Sequence, residues 1–157
     1  MGRLVAPLDS PELAGFVAAL DSVNALADGS EGFVWRLQTE DGDATAIRAF
    51  DDQMVLLNMS VWRTVEQLRE FVYRTAHAEV MRRRREWFAR PVEAFLVLWW
   101  IPSQTVPTVH EAIQRLTALR RDGPTPFAFT FRTSFAAPDV SAPTSTIVDE
   151  RWGCPAP

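Results

Sequence analysis

Five side chains have types and spacings that could do chemistry: Asn58, Ser60, Tyr73, His77 and Arg84. His77 and Arg84 are seven residues apart, two turns along one face of a helix, and Tyr73 precedes His77 by one turn. Asn58 and Ser60 share a face at the end of a strand that leads into that helix. Together they would offer a proton acceptor or donor, a fixed cation, a phenol and two neutral hydrogen-bonding groups. Such a set would bind an acidic or phenolic substrate and stabilise an enolate or phenolate. In this reading His77 is the acid/base, Arg84 and Tyr73 act beside it, and Asn58, Ser60, Trp62 and Trp35 hold the substrate. A plainer explanation covers the same residues: His77 caps a packing layer, Tyr73 is the edge of an amphipathic core, and the arginine run is a solvated face. Arg82, Arg83 and Arg85 read as surface residues; Arg84 differs from them in helical phase.

Composition narrows the chemistry. All 16 basic residues are arginine, which removes lysine Schiff bases, pyridoxal phosphate attachment and a Walker-type phosphate lysine. The single cysteine, Cys154, stands in a Pro-rich tail, so an internal disulfide framework and a cysteine metal cluster are both excluded. With His77 and His110 as the two histidines, a three-histidine centre is impossible, and no metal or cofactor is expected. His110 itself reads as a surface residue in a capping sequence. A net charge of −4 argues against nucleic acid as a partner. Neither a signal-peptide apolar run nor a membrane-length segment is present, so the expected location is the cytoplasm.

These candidates must be positioned by elements that the patterning makes visible. Residues 3–6 read as a short strand stopped by Pro7. Ser10-Pro11-Glu12 is a cap with proline at the first helical position, and Leu13, Phe16, Val17, Leu20, Val23 and Leu26 continue a helix to about Asp28. Residues 31–38 read as a strand, residues 39–43 as a turn and residues 44–50 as its continuation; residues 54–62 read as the next strand. Thr64-Val65-Glu66-Gln67 is a capping box that opens one long helix through Phe88, ended by Pro91. Its buried stripe would be Val65, Leu68, Val72, Ala76, Val80 and Trp87. Residues 95–101 are apolar on both faces, as in a strand covered on both sides. A second capping box, Thr108-Val109-His110-Glu111, starts a helix to about Arg121, and Phe127, Phe129 and Phe131 alternate in a final strand.

The order of elements predicts an α+β fold: a ferredoxin-like split βαβ antiparallel sheet with an extra C-terminal helix and strand. Residues 1–132 would form a single domain and residues 133–157 a Pro/Ala/Ser/Thr-rich tail. Helices would cover one sheet face, leaving Trp35, Trp62 and one of Trp99 or Trp100 on the other. A face of that size calls for cover, most simply a homodimer.

The runs Gly32-Phe33-Val34-Trp35-Arg36-Leu37, Asn58-Met59-Ser60-Val61-Trp62, Tyr73-Arg74-Thr75-Ala76-His77, Arg84-Arg85-Glu86-Trp87-Phe88 and residues 96–102 resemble the bacterial DUF3291 family. The resemblance spans residues 3–132. That family is similar to the dimeric α/β-barrel superfamily, which includes cofactor-free quinone-forming monooxygenases, haem-degrading monooxygenases, and small isomerases and cyclases. The resemblance implies a dimeric α/β barrel; an activity does not follow from a fold. Asn58 and Trp62 match the cavity Asn and Trp of the cofactor-free monooxygenases. The haem-degrading members carry their axial His about ten residues after the Trp, where this chain has Val72, with His77 fifteen residues on; haem ligation is not supported. The expected function is a small cofactor-independent enzyme acting on a hydrophobic, acidic or phenolic metabolite, such as a secondary-metabolism intermediate, by oxygenation, isomerisation or cyclisation. The alternative is a non-catalytic ligand-binding or interaction protein that uses the same cavity.

Overall fold

A computed structural model describes residues 1–40, 42–47 and 50–138. The tail beyond residue 138, with Cys154, lies outside the described residues, as does part of the 44–50 segment. Among the described residues the fold is α+β, with small antiparallel strand pairs and four α-helices. Strand β1 (Gly2–Arg3) pairs with β3 (Val55–Leu56), and β2 (Phe33–Arg36) pairs with β4 (Ser60–Trp62). The segment predicted as one strand over 54–62 is thus divided in two around residues 57–59. It still behaves as one extended run: Leu57 and Met59 are buried, Asn58 between them is exposed, and the Leu37 N–H bonds the Met59 carbonyl at 2.8 Å.

Helix α1 (Ala14–Asp28) ends where the sequence predicts and is preceded by a 3₁₀ turn over Pro11–Leu13. Ser10 has the extended backbone of a cap, but its hydroxyl makes no capping bond. The long predicted helix is two helices, α2 (Val65–Arg74) and α3 (His77–Trp87). The cause is Thr75, whose backbone is extended (φ −109°, ψ −176°). Its hydroxyl donates to the Phe71 carbonyl at 2.6 Å and accepts the His77 N–H at 3.2 Å. A threonine hydroxyl that competes for backbone groups in this way ends one helix and starts the next.

Both predicted N-caps form: Thr64 accepts the Gln67 N–H and Thr108 accepts the Glu111 N–H, each at 3.1 Å, the latter opening α4 (Val109–Asp122). The Gln67 side chain, rather than folding back on the cap's backbone, donates to Glu31 at 3.3 Å and fills the space above Gly32. Gly32 has φ +81°, where a side chain would be strained as well as obstructed.

The strands predicted over 95–101 and 127–131 meet through a single bridge, in which Leu98 and Phe129 exchange two 2.8 Å hydrogen bonds. The packed chain continues to Phe135, whose carbonyl accepts the Trp100 indole N–H at 2.8 Å. Two clusters form the core: Leu4, Leu13, Leu56 and Trp87 on the β1–β3 side, and Leu57, Met59 and Ala112 beneath α4. No helix among the described residues is long and apolar enough to cross a membrane.

The β2–β4 pairing corrects the expected aromatic face. Phe33 pairs with Trp62 and Trp35 with Val61, with an irregularity between Phe33 and Trp35 that makes Val34 the extra residue. Successive residues of a strand point to opposite sides. Trp62 therefore goes with Phe33 towards α2, and Trp35 goes with Val61 to the opposite side. Packing agrees: Trp35 joins Leu37, Trp99 and Val109 around the α4 cluster.

Candidate functional site

On the α2 side of the β2–β4 pair, four rings stand in sequence. Phe33 meets Trp62 edge-on (centroids 5.4 Å apart), Trp62 stacks on Phe71 at 4.9 Å, and Phe71 lies against His77 at 4.8 Å. The Trp62 indole N–H donates to the Ser60 hydroxyl at 3.0 Å. Ser60, Trp62 and His77 are thereby joined through Phe71. The sequence reading passed over Phe71, although Leu68, Phe71, Val72 and Thr75 recur at the i, i+3, i+4, i+7 spacing of a buried stripe.

His77 is half-buried at the first position of α3. Its Nδ1 lies 3.2 Å from the Val72 carbonyl. A carbonyl oxygen can only accept, so Nδ1 carries the hydrogen and Nε2 keeps its lone pair. Burial pulls the imidazole pKa below its ordinary value, and the Val72 bond offsets part of that effect. The arrangement is a neutral histidine in a defined tautomer with a basic nitrogen free of partners among the described residues.

The other candidates are not gathered around it. Tyr73 belongs to the helix before the break, is exposed, and packs edge-on against Phe131 at 5.6 Å. Asn58 is exposed on the segment between β3 and β4. Trp35 is on the far side of the strand pair. Arg84 is two turns along α3 from His77, its guanidinium over the rings of Phe95 (4.1 Å) and Phe88 (5.5 Å). It has no carboxylate partner among the described residues, and burial lowers its pKa. Arg82 and Arg83, in contrast, pair with Glu79 and Glu86, as expected of a solvated face.

A cationic neighbourhood not foreseen from the sequence surrounds Phe95. The Met1 amine donates to the Phe95 carbonyl at 2.8 Å, and Arg120 donates to the Ala94 carbonyl at 2.9 Å while pairing with Glu93 at 3.2 Å. Burial, then the charges of Arg84 and Arg120, lower the amine pKa from 8.0 to about 6.

Among the clefts of the described residues, two are well formed. One of about 160 Å³ is lined by Ser30, Glu31, Gln67, Glu70, Phe71 and Thr75, two of which, Phe71 and Thr75, contact His77. The other, about 410 Å³, lies along α4 beside Phe127. His77 and Arg84 line neither. Among the described residues, no group of three or more His, Cys, Asp or Glu side chains is placed to hold a metal ion.

No curated protein and no solved structure matches the chain. The model of a family described as a domain of unknown function, DUF3291, matches residues 1–145, and the chain belongs to that family.

Proposed function

We propose that this protein is a small cytoplasmic enzyme without a tightly held cofactor. It acts on a hydrophobic, acidic or phenolic metabolite by oxygenation, isomerisation or cyclisation, with His77 as general base. The observation that carries this reading is the His77 imidazole: Nδ1–H is held by the Val72 carbonyl, leaving Nε2 a neutral proton acceptor. Ser60 and Trp62 hold the substrate from β4, and Phe71 supports the imidazole. Arg84, on the same helix as His77, is the further candidate for substrate contact, whereas Asn58, Tyr73 and Trp35 lie on other surfaces and do not join this site.

The finer architecture belongs to the same proposal: a ferredoxin-like arrangement completed as a dimeric α/β barrel by a second copy. Its support is that each strand pair is too small to be stable alone, while Val5, Val17, Val34 and Leu96 remain exposed. The expected mass in solution is twice the 17.7 kDa of the chain; light scattering that finds monomer alone at micromolar concentration would remove the dimer.

A second reading, ligand binding without chemistry, is favoured by the distance of Tyr73 and Arg84 from the His77 ring contacts and by the small size of the cleft at Phe71. One experiment separates the two. The protein is incubated with a panel of phenols and hydrophobic acids while imidazole ¹⁵N resonances and product formation are followed. Turnover that is lost in His77→Gln supports the enzyme. A compound that binds and shifts His77 yet is recovered unchanged supports the binding protein, and a panel whose binders all leave His77 unmoved overturns both.

A further inference from the structure

His77, Met81 and Arg84 follow one another on α3 at spacings of four and three, which an α-helix aligns into one ridge. The core side of α3 is elsewhere, since Val80 and Trp87 pack into the β1–β3 cluster. Between the two polar ends of the ridge Met81 is 37% exposed, a flexible apolar surface. At one end is the free Nε2 of His77. At the other is the Arg84 guanidinium, without a carboxylate partner among the described residues, over the Phe88 and Phe95 rings, with the Met1 amine and Arg120 on neighbouring carbonyls and Glu93 offsetting Arg120. Seven residues of helix set the His77 and Arg84 Cα atoms about 10 Å apart along the axis.

We infer that this ridge is a docking track for an elongated hydrophobic monocarboxylate. Its carboxylate sits on Arg84, its apolar body runs along Met81, and a phenol or enol at its other end reaches His77. The inference rests on the proposed role of His77 and adds the length and polarity of the substrate. A planar guanidinium flanked by phenyl faces suits a carboxylate attached to an apolar body, because it forms a two-pronged contact while the rings exclude water. Arg84 is available for that contact because the carboxylates of its own helix, Glu79 and Glu86, are engaged by Arg82 and Arg83.

The test is a homologous series of 4-hydroxyphenylalkanoates, from the acetate upwards, titrated calorimetrically into the full chain. Affinity is expected to rise by about tenfold or more as the phenol-to-carboxylate span approaches the ridge length, and to fall by a similar factor on methyl esterification. Arg84→Gln should lose that tenfold with an unchanged unfolding midpoint, Arg84→Lys should recover part of it, and the longer homologues alone should shift the His77 imidazole resonance. Equal affinity across the series, or wild-type binding by Arg84→Gln, would overturn the track. If short homologues moved the His77 resonance with no dependence on Arg84, the track would fall and the His77 reading would stand. If long homologues needed Arg84 but left His77 unmoved, both would fall.

Discussion

His77 lies against Phe71 with ring centroids 4.8 Å apart, and Phe71 in turn stacks on Trp62 at 4.9 Å. Phe71 is buried, so its removal leaves a cavity and detaches the imidazole from the strand pair. Phe71→Ala should cost about 3 kcal/mol in urea unfolding, and Phe71→Leu less. The His77 resonances should broaden in the alanine variant; unchanged stability and sharp resonances would show that the stacking is incidental.

Thr75 holds the break between α2 and α3 through one donated and one accepted hydrogen bond. Thr75→Val, which keeps the shape and removes the hydroxyl, should cost about 1–2 kcal/mol, whereas Thr75→Ser should stay near wild type. The more specific readout is imidazole ¹⁵N shifts. Valine should reduce the Nδ1–H tautomer that the Val72 carbonyl selects, because that contact depends on the break.

Gly32 pairs a positive φ with an obstructed Cβ position under Gln67. Gly32→Ala should destabilise by at least about 1 kcal/mol. Gln67→Ala in the same chain should return the part due to collision and leave the part due to backbone strain. A double-mutant cycle with no coupling would mean that Gln67 moves aside freely.

Two basic groups, the Met1 amine and His77, have pKa values below their ordinary ones. In both cases the unfolded chain binds protons more readily, so stability falls as pH falls. For the amine, lowered from 8.0 to about 6, the loss runs from pH 8 down to pH 6 and is on the order of 2–3 kcal/mol. For His77 it sets in below its ordinary value of 6.5. Urea midpoints measured against pH should show the first loss disappearing on N-terminal acetylation and the second in His77→Gln. A flat profile in the unmodified chain would contradict both.

Much of the helical framework was legible because its signals are local. Thr64 and Thr108 act through a residue three positions away, and Pro11 needs only its own ring to start a turn. Apolar periodicity runs straight through Thr75, so it conceals a break made by a hydroxyl rather than by proline or glycine. Tyr73 and His77 share a face only of an unbroken helix, which the chain does not form, whereas His77 and Arg84, both beyond the break, keep their relation. Residues 95–101, apolar on both faces, and the alternating 127–131 read as strands, but the extent of pairing depends on the partner's geometry, and between them only Leu98 and Phe129 exchange bonds. The Phe95 neighbourhood was out of reach because it joins the chain start, α3 and α4 through backbone carbonyls that carry no sequence signature.

The extra residue at Val34 makes the β2–β4 pair a partition between two compartments that can be read independently. Trp35 and Trp62, close in the ladder yet on opposite sides of it, should report separate events: Trp62 fluorescence should respond to ligands near His77, and Trp35 to disturbance of α4. Deleting Val34 would regularise the ladder yet leave Trp35 opposite Val61 and Phe33 opposite Trp62, so the two indoles should stay on opposite sides and keep reporting separately.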